Sequence, residues 1–134
     1  MTYLVDSDQI IDGLKGIPTA LTRLTALGPS GLAVSVMTFA EVVEGAHRDP
    51  DPPARIADVR RFLQSYRLLP VTEAIAELFA ERRADLRARG LLIPDLDLII
   101  AATALAHNLT LVTGNRRHFA RIPGLAIHVD SGQT

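Results

Sequence analysis

The chain contains no cysteine, which removes both disulfides and thiolate metal sites from consideration. It also lacks any uninterrupted apolar run of the roughly 18 to 20 residues that a membrane span needs. The longest candidate, Leu96 to His107, is too short and begins beside Asp95 and Asp97. The opening Met-Thr-Tyr-Leu-Val-Asp has neither the basic flank nor the small-residue cleavage site of a secretory signal. A cytoplasmic protein without membrane contact is the simple expectation. A global positive field is absent too, because the formal net charge is −1 at pH 7. Lysine occurs only as Lys15, so every other basic residue is arginine.

What is present points to one filled core. The 134 residues suit a single domain, 1–134, and hydrophobic residues make up 48% of them. Mean hydropathy is +0.20, which leaves some apolar surface for a partner. The arginines cluster at Arg60 and Arg61, at Arg82, Arg83, Arg87 and Arg89, and at Arg116, Arg117 and Arg121. Guanidinium forks suit phosphate, although solvated helix faces produce the same clusters.

Short apolar runs alternate with helical periodicity along the chain. Tyr3 to Val5, Leu32 to Val36, Leu68 to Val71 and Leu109 to Thr113 read as strands, and Ala126 to Val129 as a candidate fifth. Helices are expected after Asp6, from Pro18, over Thr38 to His47 and Ala54 to Tyr66, over Thr72 to Arg89 with Gly90 as the stop, and over Leu96 to His107. Arg48-Asp-Pro-Asp-Pro-Pro53 is a loop. Such alternation implies crossover units: an α/β, three-layer α/β/α sandwich around a mainly parallel sheet of four to five strands. Ligands in such folds bind beyond the carboxyl ends of the strands.

That rule gives the acids meaning. Asp6 ends the first strand, Glu41 lies in the first turn of the helix after the second, and Asp97 opens a later helix. Each alone is also what a helix start attracts: Asp6 as a cap with Gln9, Thr38-x-x-Glu41 as a capping box, Asp95 and Asp97 as first-turn acids. Capping does not require three helix starts to converge, whereas Mg²⁺ or Mn²⁺ needs oxygen ligands from several directions. Without a cation between them, at least one of the carboxyl groups should have a raised pKa.

Four segments carry a more specific resemblance: Tyr3-Leu-Val-Asp6-Ser-Asp8, Val36-Met-Thr-Phe-Ala-Glu41-Val-Val-Glu-Gly-Ala46, Asp97-Leu-Ile-Ile-Ala-Ala-Thr-Ala-Leu-Ala106, and Leu109-Thr-Leu-Val-Thr113-Gly-Asn115-Arg-Arg-His-Phe119 followed by Ile122-Pro-Gly-Leu125. Nearly end to end, the chain resembles the PIN-domain family, and in particular the VapC-type toxins of bacterial toxin–antitoxin pairs. The resemblance implies a Mg²⁺-dependent (or Mn²⁺-dependent) endoribonuclease that hydrolyses RNA phosphodiesters, forms homodimers and is silenced by a VapB antitoxin. Its metal-binding, catalytic acids fall on Asp6, Glu41 and Asp97. Many members carry a fourth acid where this chain has Asn115, so one firmly held ion is expected rather than two. Asp95 or Asp8 are candidates to supply the missing charge, and Ser7 and Thr113 to hydrogen-bond metal-bound water or the ligating carboxylates. Arg116, Arg117, His118 and Arg121 follow the fourth strand and are candidates for RNA-phosphate contacts. The segment Ala54 to Arg89 is the candidate antitoxin surface.

Two alternatives belong to other classes. Asp6-Ser-Asp8 after a first strand also suits a haloacid-dehalogenase-like phosphatase or a receiver domain, but both need a lysine late in the chain, and Lys15 is the only one. A catalytically degenerate PIN-like protein-binding module is the other, favoured by Asn115.

Overall fold

The first two strands each run into a helix through a polar residue that caps it, Asp6 after the first and Ser35 at the end of the second. The computed structural model describes residues 1–130. β1 (Tyr3–Val5) runs into α1 (Ser7–Leu14), with Asp6 as its N-cap. After α2 (Pro18–Leu27) and a 3₁₀ turn at Gly28–Ser30 comes β2 (Leu32–Ser35), which passes directly into α3 (Val36–Ala46). α4 (Pro52–Phe62) follows the proline-rich loop and leads to β3 (Arg67–Leu69). α5 (Glu73–Ala88), α6 (Asp95–His107), β4 (Thr110–Val112) and a short α7 (Arg116–Phe119) complete the order. The strands are all parallel in the order β3-β2-β1-β4.

Alternation along strands of three or four residues builds two cores. Leu4, Ala33, Leu69 and Leu111 point to one face and join Leu86, Ile93, Leu98, Ala101, Ala104 and Phe119 from α5, α6, α7 and their loops. Val5, Val34 and Val112 point to the other and join Ile10, Leu24, Val42 and Val59 from α1 to α4. Each in-facing strand residue is thus covered on its own side, giving the expected three-layer sandwich. No helix among the described residues is long and apolar enough to cross a membrane.

The structure corrects four expectations. The candidate fifth strand is reduced to one isolated parallel bridge, Leu111 with Ile127. The cap of α3 is Ser35, whose Oγ accepts from Met37 N at 3.1 Å, rather than Thr38. The helix therefore begins earlier than the Thr38-x-x-Glu41 pattern suggests, and Glu41 falls in its second turn. Ala54 to Arg89 is not one surface, because α4 and α5 lie on opposite faces of the sheet, Val59 in one core and Leu86 in the other.

Strand order fixes where a site can form. β1 to β3 are laid down in one direction, and the chain then returns to place β4 on the free side of β1. The crevice beyond the carboxyl ends of β1 and β4 is therefore the topological switch point.

Candidate active site

Asp6 stands at that switch point and is 5% exposed. Its Oδ1 accepts from Ser7 N at 2.8 Å, as expected of an N-cap. Its Oδ2 accepts from Thr113 Oγ1, also at 2.8 Å, which ties the end of β1 to the end of β4. Burial pushes the Asp6 carboxyl up to about 6; the Thr113 and Ser7 hydrogen bonds oppose the rise, and the negative charges of Asp8 and Asp97 add to it. A carboxyl group in this state accommodates a cation more readily than a bare negative charge.

Asp8 comes to the same edge from the first turn of α1. Its Oδ2 accepts from Gly114 N at 2.7 Å, while its Oδ1 is shut off from solvent and has no hydrogen-bond partner. This close approach depends on glycine, because a Cβ at position 114 would lie 2.7 Å from that same Oδ2. Asp97, in the first turn of α6, approaches from the opposite layer, with His118 Nδ1 2.7 Å from its Oδ2. Asn115 Nδ2 lies 2.8 Å from the same imidazole nitrogen, and Asn115 N donates to Thr113 Oγ1 at 3.0 Å. The segment after β4 therefore contacts all three acids: Thr113 meets Asp6, Gly114 meets Asp8, and His118 of α7 meets Asp97.

Glu41 is half-buried and lines a groove of about 640 Å³ between α1, α3 and α4, together with Ile11, Leu14, Val42 and Val59. Its carboxylate is not among the charges that raise Asp6. Asp95 is exposed and pairs with Arg83 of α5 at 2.9 Å, on the outer side of α6. Among the described residues no three carboxylate or imidazole side chains stand close enough to form a ready-made ion cage. Mg²⁺ tolerates this, since it keeps several waters and uses one or two carboxylates directly. The donor set of buried Asp6, the partnerless oxygen of Asp8, and Asp97 fits such a hydrated hard cation.

The arginines separate by role. Arg121 Nη1 donates to the carbonyls of Leu91 (3.3 Å) and Leu92 (3.1 Å), which holds the loop leading into α6. Arg116 Nη2 donates to His128 O at 3.5 Å, and Arg117 is exposed. Sequence reasoning missed two features here. One is the contact of His118 with Asp97, which depends on α7 folding back onto α6. The other is a network around Gln9 and Arg23, whose partners lie too far apart in the chain to leave a local pattern.

The PIN-domain model matches residues 3–125. The chain belongs to the PIN-domain family. It is 37% identical over 87% of its length to ribonuclease VapC10 of Mycobacterium tuberculosis, covering 84% of that protein. It is 28% identical to the tRNA(fMet)-specific endonuclease VapC of Salmonella typhimurium, over 95% of this chain and 96% of the other. Among solved structures, VapBC2 of Rickettsia felis bound to a DNA fragment from its promoter superposes with TM-score 0.88 at 27% identity, over 96% of this chain and 98% of that one. Within the PIN family the chain is a VapC-type ribonuclease of the toxin–antitoxin class. Members are typically metal-dependent nucleases.

Proposed function

We propose that this PIN-domain chain is a Mg²⁺- or Mn²⁺-dependent endoribonuclease toxin acting at the β1–β4 switch point, with Asp6, Asp97 and Glu41 as its metal-binding acids. The observation that carries the site is the burial of Asp6 next to Asp8 and Asp97, with its carboxyl raised to about 6. Helix caps gain nothing from bringing the starts of α1 and α6 together in one desolvated crevice.

A bound divalent ion supplies a water of lowered pKa and neutralises charge on the scissile phosphate. The chain's own residues prepare for it. Thr113 and Ser7 fix both oxygens of Asp6, so the carboxylate is pre-aimed. His118 restrains Asp97 through its Oδ2, and Gly114 anchors Asp8 while leaving Oδ1 free. Glu41 completes the acidic set from the α3 side of the groove. Asn115 adds no negative charge to the set, which supports one firmly held ion; Asp8 adds its charge from the α1 side. Arg116 and Arg117 at the start of α7 are candidates to position RNA phosphates beside the crevice without reading sequence.

The partners follow from the class. The Rickettsia relative is crystallised with its antitoxin, and we infer a VapB-type antitoxin and a homodimeric toxin for this chain as well. The α4 half of Ala54 to Arg89 remains the candidate antitoxin surface, because Arg55, Asp58 and Val59 line the groove that also holds Glu41.

The test is cleavage of RNA by antitoxin-free protein with and without Mg²⁺ or Mn²⁺, beside Asp6→Asn and Asp97→Asn. Metal-dependent cutting that both variants lose supports the assignment; variants that cut as well as the parent overturn it. The second reading, a degenerate binding module, is favoured by Asn115 and by the open spacing of the acids. Millimolar Mn²⁺ decides it: no rise in melting temperature favours the module.

A further inference from the structure

Beside the catalytic edge lies a second polar pocket, of about 200 Å³, whose lining includes Gln9, Arg23, Gly114, Arg116, His128 and Asp130. Its centre is the guanidinium of Arg23 on α2. Arg23 Nε lies 2.9 Å from both oxygens of Asp130, and Nη2 donates to Asp130 Oδ2 at 2.6 Å. Arg23 Nη1 donates to Gln9 Oε1, and Gln9 is 5% exposed. Gln9 Nε2 in turn donates to Asp8 Oδ2 at 3.5 Å. A continuous line of hydrogen bonds thus runs from the acidic crevice through Gln9 and Arg23 to Asp130, which lies 107 residues further along the chain from Arg23.

We propose that the Arg23 fork is an RNA-phosphate seat flanking the catalytic crevice, and that Asp130 occupies it as an internal stand-in until RNA displaces it. The seat is an addition to the ribonuclease reading above and rests on it. A fork that takes a carboxylate through two parallel N–H groups takes a phosphodiester through the same two, and both ligands carry one negative charge. Gln9 is held by its neighbours, so the fork keeps its aim when the carboxylate leaves. The wall shared with the catalytic site, Thr113 and Gly114, sets the seat next to the acids that would hold the metal.

The tail is built to let go. Residues 126–128 are fastened to β4 by Leu111 N donating to Ala126 O and His128 N donating to Leu111 O, both at 2.8 Å, and Tyr3 meets the His128 ring edge-on. Beyond this anchor Val129 is 46% exposed, and among the interactions the structure shows, Asp130 is held by Arg23 and by His128 Nε2 at 3.1 Å. Rotation about Val129 swings Asp130 out without disturbing the sheet.

The experiment measures binding of a short fluorescent single-stranded RNA in Ca²⁺, without turnover, across a salt series, for the parent, Asp130→Asn, Arg23→Gln and the double variant. Cleavage by the parent in Mg²⁺ is recorded in parallel, as are the melting temperatures of all four proteins. A latch closed about nine-tenths of the time lowers apparent affinity about tenfold, so Asp130→Asn should bind RNA about tenfold tighter. Arg23→Gln should bind more weakly than the parent with a shallower salt slope, and adding Asp130→Asn to it should change nothing further. If Asp130→Asn binds RNA no better than the parent, whether or not its melting temperature falls, the pair only pins the tail and the proposal is overturned. If the parent neither binds nor cuts RNA, the ribonuclease reading itself fails.

Discussion

An Asp6→Asn variant has nearly the shape of the parent but brings no charge into a place where burial penalises charge. In the metal-free parent the carboxyl is raised from 3.8 to about 6, so between those values the folded protein holds a proton that the unfolded chain has released. Stability therefore falls as pH rises through that window and stays lower above it, by at most about 3 kcal/mol for a shift of this size. Asparagine escapes the penalty but gives up one of the two hydrogen bonds from Ser7 and Thr113, worth about 1 kcal/mol. Thermal melts at pH 8 without metal should place Asp6→Asn about 5 °C above the parent, with the gap closing near pH 4, and a pH-independent gap would refute the assigned cause. In Mn²⁺ the order should reverse, because only the parent gains binding energy. Gly114 has a comparable role at one remove: Gly114→Ala should push Asp8 outward, cost about 1–3 kcal/mol by overpacking and weaken Mn²⁺ affinity measured by calorimetry. Much of this was legible in advance. Asp6 and Asp97 are marked by their places after a strand and at a helix start, and Asp8 by its nearness to Asp6. His118 was not, because its contact with Asp97 is a tertiary event with no local spacing, and Arg121 reads as a phosphate ligand until the carbonyls of Leu91 and Leu92 are seen to take it.

At the scale of elements, the contact between α1 and α4 turns on one missing methyl. A Cβ on Gly13 would stand 2.5 Å from Phe62 Cζ, so α1 lies closer to α4 than any other residue permits. Gly13→Ala improves helix propensity by about 1 kcal/mol, yet overpacking should outweigh that gain and leave the variant about 1–2 kcal/mol less stable in urea denaturation. Phe62→Leu in the same chain should restore most of the loss; failure to do so would place the strain elsewhere. Element type was well signalled by periodicity, and boundaries less so. Ser35 wins the cap of α3 over Thr38 because β2 runs into the helix with no intervening turn, and Asp51 starts α4 with Pro52 in its first turn, ahead of the apolar stripe that marks the helix. Ala126 to Val129 is mostly apolar, as a strand can be, but only Ile127 forms a bridge. Composition alone does not reveal that.

For the whole molecule, the proposed function divides its labour between two grooves. The groove between α1, α3 and α4 is partly apolar and holds Glu41, which suits a protein segment; the pocket at Arg23 is small and polar, which suits a phosphate. Ile11→Glu, placed in the first groove, should release a co-expressed VapB-type antitoxin during affinity purification while leaving the Mn²⁺-induced rise in melting temperature in place. Retention of the antitoxin would move its docking surface elsewhere. The same division explains what the sequence left hidden about the whole: α4 and α5 look like one amphipathic stretch until β3 sends them to opposite layers.

The seam between β1 and β4 also bears on when a harmful enzyme comes into being. Asp6 leaves the ribosome well before the threonine that orients it, which is encoded 107 residues later. A nascent chain that has not yet been translated past Thr113 lacks the strand and the hydroxyl that complete the Asp6 edge. If Asp6 holds the metal as proposed, catalytic competence waits until β4 is made, and a chain truncated before Thr113 should show no metal-dependent RNA cleavage. Were the proposed antitoxin made alongside this chain, that delay would give it time to be present when the first active molecule closes its sheet.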